Sequence, residues 1–155
     1  MRHIQQEHRE WLKTMYPNQP SNVPAAGLVE EAGELLHAVL KLYQSELWGL
    51  EYRHGDLHTK FVDAVGDCAI YACSYCNSVG WDFESTVEAA TVPHSGLSVT
   101  LAVALVKKSA EFFEDRKRLD LVRYIELLMS LCRANDVSFC DAVTSTWEQV
   151  KRRTR

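Results

Sequence analysis

The chain has 155 residues, enough for one domain with a sizeable buried core, and its 46% apolar and 25% charged content is that of an ordinary globular protein. A net charge of −4 argues against a nucleic-acid binder. The one long apolar run, Leu97 to Val106, is broken by Ser98 and Thr100 and is too short to span a bilayer; no basic leader with an apolar core opens the chain, so a cytoplasmic location is expected.

In chain order, residues 3–15 carry Ile4, His8, Trp11, Leu12 and Met15 at helical spacing. Pro17 and Pro20 then stop the helix and make a loop. Asn22 is expected to cap a second helix, with Pro24 tolerated in its first turn, running to about Tyr43. The polar stretch from about Gln44 to His58, with Gly49, Arg53, His54 and Gly55, reads as a mobile loop and a candidate lid. A third helix is expected from about Leu57 to Val79, with Phe61, Val65, Cys68, Ala69, Ala72 and Cys76 on its core face. Gly80 is a natural helix end, and Asp82 can cap a short helix through Ala90. After a linker at Thr91-Val-Pro-His-Ser-Gly96, helices are expected over about 97–114, 119–134 and 139–152. Ser138 caps the last, with Asp141 three residues on. No strand pattern appears, so the expected fold is all-α, a single domain of antiparallel packed helices.

A weak internal repeat runs through this pattern. Cys76/Cys132, Ser74/Ser130, Phe83/Phe139 and Val87/Val143 share an offset of 56, and the caps Asp82 and Ser138 fall in the same register. The preceding helix matches at an offset of 77, through Leu28/Leu105, Val29/Val106, Glu34/Glu111 and Leu35/Phe112. The acids are not repeated: Glu30 and Glu31 become Lys107 and Lys108, and Asp67 becomes Arg123. Residues 1–103 hold 6 Lys/Arg against 13 Asp/Glu, and residues 104–155 hold 11 against 8. The pattern reads either as a duplicated hairpin, acidic over about 22–80 and basic over about 97–135 with a closing helix at 139–152, or as a chance likeness of amphipathic helices.

On the second helix Glu31 and Glu34 fall one turn apart, Glu30 lies at i,i+4 from Glu34, and Leu28, Leu35, Val39 and Leu42 form a separate apolar stripe. On the third helix Asp63 and Asp67 are at i,i+4, and Tyr71 continues their face. Like charges at this spacing cost a helix a few tenths of a kcal/mol per pair, roughly, and a divalent cation would remove that cost. Facing one another, the four carboxylates would offer a hard cation oxygen ligands only, which favours Mg²⁺ or Mn²⁺ over zinc. Gly33 precedes Glu34 and Gly66 precedes Asp67. A mid-helix glycine costs about 1 kcal/mol against alanine, and close helix approach would account for both. A solvated acidic face with glycines at a tight crossing is the plain alternative.

Glu30-Glu31-Ala-Gly-Glu34-Leu, followed by Asp63-Ala-Val-Gly-Asp67, resembles the MazG-like all-α nucleotide pyrophosphohydrolases. These pair an E-E-x-x-E helix with an E-x-x-D helix, in a superfamily that includes dimeric dUTPases and dCTP pyrophosphatases. His8-Arg-Glu-Trp11 with Tyr16-Pro-Asn-Gln, His37-Ala-Val-Leu-Lys41, and the tail from Ala142 through Trp147 are similar to further stretches of that family. One departure stands out: where the second motif begins with Glu, this chain has Ala64. Asp63, one residue earlier, still lies on the face of Asp67.

The resemblance implies hydrolysis of a nucleoside triphosphate to the monophosphate and pyrophosphate. It implies Mg²⁺, with Mn²⁺ as the alternative, held by Glu31, Glu34 and Asp67 and by Asp63 as a fourth ligand. Glu30, Glu31 and Glu34 form the candidate catalytic set, with Glu30 or Glu31 as the proton acceptor. Lys41 would neutralise a phosphate, and Trp11 and Tyr71 would stack on the base. Lys107, Lys108, Arg118 and Arg123 would reach the triphosphate if the basic hairpin packed on the acidic one. A nucleotide is the expected partner and a homodimer the expected assembly, with neither nucleic acid nor membrane. Ala64 keeps a second expectation open, a non-catalytic member that binds a nucleotide or alarmone in a regulatory role.

The remaining chemistry-bearing residues add little. His3, His8, His37, His54, His58 and His94 make no metal-binding pair and read as surface residues. Cys68, Cys73 and Cys76 read as buried, reduced thiols, and Cys132 and Cys140 supply no second pair for a zinc site.

Overall fold

The structure, a computed structural model, describes residues 1–49, 54–91 and 96–153. Among these, seven helices and no strand are found: α1 (Arg2–Met15), α2 (Asn22–Leu47), α3 (His54–Val79), α4 (Phe83–Ala89), α5 (Ser98–Asp115), α6 (Arg118–Ala134) and α7 (Phe139–Val150). The fold is an all-α bundle. None of these helices is long and apolar enough to cross a membrane.

α2 lies at the centre, packed on α3 on one side and on α5 on the other. α6 packs on α5, α7 on α3, α4 on α6, and α1 on α3 and α4. The apolar stripe of α2 accounts for its central place: Leu28, Leu35, Val39 and Leu42 are all buried. They meet Phe61, Val65, Cys68, Ala69, Ala72 and Cys76 of α3, buried likewise. Burial pushes the thiols of Cys68 and Cys73 well above the ordinary thiol range, and all five cysteines are free.

The helix boundaries correct two expectations. α2 continues one further turn to Leu47 and α3 begins at His54, so most of the stretch expected to be a loop from 44 to 58 is helical. Gln44, Ser45 and Glu46 are good enough helix formers to extend a helix already held by packing. The centre of the supposed lid, 50–53, lies outside the described residues, as does 92–95 of the linker. The cap of α2 is Ser21, without a side-chain cap bond, and Asn22 is the first helical residue.

The ends of α3 and α6 match in detail. The Trp81 N–H donates to the Cys76 carbonyl and the Val137 N–H to the Cys132 carbonyl, both at 2.9 Å. Gly80 (φ 75°) and Asp136 (φ 53°) are left-handed, a conformation glycine and aspartate accept more readily than other residues. Asp82 then accepts the Ser85 N–H at 3.2 Å, and Ser138 the Asp141 N–H at 3.3 Å. Each pair is separated by the offset of 56 seen in the sequence.

Candidate functional site

Helical spacing puts Glu34, His37, Ala38 and Lys41 on one face of α2, and Leu57, Lys60, Asp63, Ala64 and Asp67 on one face of α3. These two faces line a single cleft of about 600 Å³. Three of the four expected cation ligands, Glu34, Asp63 and Asp67, thus open onto shared space. Glu31 sits beside it, half-buried, within electrostatic reach of Asp67, Glu34 and Glu30.

The electrostatics of the acids follow first from burial and then from their nearness to one another. Burial, then the charges of Asp67, Glu34 and Glu30, push the Glu31 carboxyl up from 4.5 to about 7. Burial also raises Asp67; Arg153 opposes the rise, and Asp63 and Glu34 add to it. Burial and neighbouring like charges both disfavour the ionised form, and here they act together. The donors are all carboxylate oxygens, which suits a hard dication. Among the described residues, no three His, Cys, Asp or Glu side chains are drawn tightly enough together to form a finished cation cage.

The two glycines behave differently. A methyl group at Gly66 would strike Thr146 and the Ala142 carbonyl of α7, so α3 and α7 approach closely beside Asp67. At Gly33 nothing lies within 4 Å, so the expected close approach there is wrong; the residue faces open space. The tight contact on α2 is at Gly27, where a methyl group would overlap the Tyr71 ring. Tyr71 is thereby seated between α2 and α3, and burial raises its hydroxyl, helped by the charges of Glu31, Glu30 and Asp67.

No protein-family model, curated protein or solved structure matches this chain.

Of the other candidates, Trp11 and the cations Lys107, Lys108 and Arg123 line cavities of their own. Trp11 belongs to an aromatic cluster, stacked on His8 at 5.8 Å and edge-on to Tyr16 and Trp147 at 5.7 and 6.2 Å. It lines a separate cavity with His3, Gln6, Glu7, Glu10, Trp147 and Lys151, and its buried indole N–H has no partner among the described residues. Trp147 donates its own indole N–H to Glu7 at 2.7 Å. Lys107, Lys108 and Arg123 line a third cavity of about 480 Å³, between α5 and α6, with Glu111 and Glu126. Lys108 pairs there with Glu111 and with Asp120 at 3.4 Å. Arg118 donates to the Ser85 hydroxyl at 2.7 Å. Lys107 and Lys108 are therefore paired with acids of their own hairpin. Lys41 does line the acidic cleft, with its ammonium 3.3 Å from the Gln44 side-chain oxygen.

His8 is not a surface residue. It is only 2% exposed, packed between Trp11 and Trp147, and burial pushes its pKa from 6.5 down to about 4. Lys60 and Arg153 had escaped the sequence reading. Lys60 stands one turn before Asp63, so helical spacing alone would have found it. The charge of Arg153 opposes the rise of Glu31 and Asp67 from far along the chain, for which the sequence carries no local signal.

Proposed function

We propose that the protein is a Mg²⁺-dependent nucleoside triphosphate pyrophosphohydrolase, releasing nucleoside monophosphate and pyrophosphate. The observation that carries this reading is that α2 and α3 bring the carboxylates of Glu34, Asp63 and Asp67 to one cleft, with Glu31 half-buried beside it and held up to about 7 by burial first and by the neighbouring acids second. The E-E-x-x-E likeness of residues 30–34 supports it.

Glu31, Glu34, Asp67 and Asp63 would hold the cation. When bound, Mg²⁺ would neutralise phosphate oxygens and make a water molecule more acidic. Lys41 and Lys60, from opposite walls of the cleft, add positive charge for the phosphate chain. A water oxygen attacks the α-phosphorus, the bond from that phosphorus to the bridging oxygen breaks, and pyrophosphate leaves. Glu30 or Glu31, whichever carboxylate the cation leaves less fully engaged, takes the water's proton. Tyr71, seated against Gly27 beside the acids, offers a face to the base.

Ala64 favours a second reading. It lines the cleft where the resembled family carries a glutamate, which leaves the α3 ligand set dependent on Asp63. On that reading the protein binds a nucleotide without efficient turnover and acts in regulation. One assay separates the two: incubation with a panel of NTPs and dNTPs plus Mg²⁺, read as pyrophosphate release. Product that disappears in Glu34→Ala supports the enzyme, and binding without product supports the regulator.

A further inference from the structure

The geometry points to Lys41 and Lys60 as a clamp for terminal phosphates at the end of the cleft opposite Tyr71, so that a nucleotide enters in one direction and triphosphates are selected over diphosphates. That the ligand is a nucleotide rests on the proposed function; the order of groups along the cleft does not.

The register of the two walls fixes that order. α2 and α3 have 26 residues each, a length of about 39 Å. The six residues between them bridge about 25 Å at full stretch, too little to return to the start of α2. Two helices that pack on each other under that limit run antiparallel. A methyl group at Gly27 would lie 2.1 Å from the Tyr71 ring, which sets these two residues level. Each step forward along α2 is then matched by a step back along α3. Glu31 comes level with Asp67, Glu34 with Asp63 and Ala64, Ala38 with Lys60, and Lys41 with Leu57. The cleft obeys this register, since Glu34, Ala38 and Lys41 line one wall and Ala64, Lys60 and Leu57 the other.

The cleft therefore has two unlike ends. Tyr71 lies one turn to one side of the level shared by Glu31 and Asp67. Lys60 lies two turns to the other side, about 10 Å along the axis, and Lys41 almost a turn beyond it. Both lysines are exposed, and they stand on opposite walls. Between them and the acids, Ala38 and Ala64 put methyl groups where longer side chains would fill the passage. A nucleotide laid with its base on Tyr71 has its first phosphate at the acids and its last between the two ammonium groups. A diphosphate laid the same way falls one phosphate short of them. The reverse direction would set the most highly charged end against an aromatic ring and leave two lysines facing an uncharged base.

Calorimetry at saturating Mg²⁺ tests this with α,β-methylene deoxynucleoside triphosphates and diphosphates of the four common bases. For the base that binds best, the wild type should prefer the triphosphate analogue by about tenfold or more. Lys41→Gln and Lys60→Gln should each cut that preference about three- to tenfold, mainly by weakening the triphosphate. Tyr71→Leu should weaken both analogues about fivefold or more and leave their ratio unchanged. The exposed control Lys13→Gln should match wild type. A preference that survives both lysine substitutions, or one that collapses in Tyr71→Leu, overturns the assignment. Should the expected pattern appear while natural triphosphates are not hydrolysed, the enzyme reading fails and the direction of binding stands. Should wild type bind no analogue, both fail.

Discussion

A side-chain methyl at Gly66 would lie 1.8 Å from the Thr146 hydroxyl oxygen, so α3 and α7 touch at the residue before Asp67. Neither backbone can yield much there, because the Ala142 carbonyl oxygen is also only 2.9 Å away. Gly66→Ala is expected to destabilise the protein by about 1–3 kcal/mol, as overpacked sites do. Gly33→Ala, in open space on α2, should be neutral or stabilising by up to about 1 kcal/mol. Urea unfolding of the two variants gives the comparison. Equal effects would mean that the crossing at Gly66 is not tight.

Metal-free stability should fall as pH rises through the range set by Glu31. The folded protein keeps that carboxyl protonated up to about 7, while the unfolded chain ionises it near 4.5. Between these values the folded state binds more protons, so stability declines with pH and the full penalty is present above about 7. Partial exposure to solvent limits the effect to about 1–2 kcal/mol. Glu31→Gln should raise the melting temperature at pH 8 and flatten this decline. Mg²⁺ should stabilise wild type more at pH 8 than at pH 5. A melting temperature of Glu31→Gln below wild type at pH 8 would contradict this picture.

His8 acts in the opposite sense. Buried between two indoles, it stays neutral in the folded protein down to about 4, while the unfolded chain takes up its proton near 6.5. The unfolded state then binds more protons, and stability is lost as pH falls from 6.5 towards 4, by about 3 kcal/mol at most. A protonated ring would also set a second donor against the Asn77 amide nitrogen, 3.2 Å from His8 Nδ1. His8→Gln should therefore lose less stability between pH 7 and pH 4.5 than wild type. Identical acid profiles would show that His8 titrates as a surface residue does.

The basic hairpin offers a charge test. Lys108 is mostly buried and held between Glu111 and Asp120. Lys108→Met should lower stability, because the largely covered Asp120 carboxylate loses its partner, while solvent-facing Glu111 loses little. It should leave pyrophosphate release unchanged once the protein is folded. A selective loss of turnover at full stability would mean that this lysine serves the nucleotide instead.

Much of the fold was legible in the sequence. The stripe Leu28, Leu35, Val39 and Leu42 is buried, and the caps Asp82 and Ser138 accept the N–H groups their spacing predicts. That Asp63 and Asp67 share a face was equally readable, because i,i+4 spacing is a property of one helix. What sequence could not supply depends on two elements meeting. Gly33 and Gly66 look alike in the chain, yet only Gly66 meets another helix. Lys108 reads as a free cation until α6 brings Asp120 against it. His8 reads as a surface residue until Trp147, far along the chain, closes over it. Arg153 lies remote from Glu31 and Asp67 in sequence, yet its charge acts on both.

The central claim is that α2 and α3 jointly hold one hard dication. Mn²⁺ titration followed by electron paramagnetic resonance tests it most directly, since bound and free Mn²⁺ differ in signal. One ion per chain should bind to wild type, Mg²⁺ should displace it, and both Glu34→Ala and Asp67→Asn should lose it while still folding. Binding that survives either substitution, or no binding to wild type, would contradict the account.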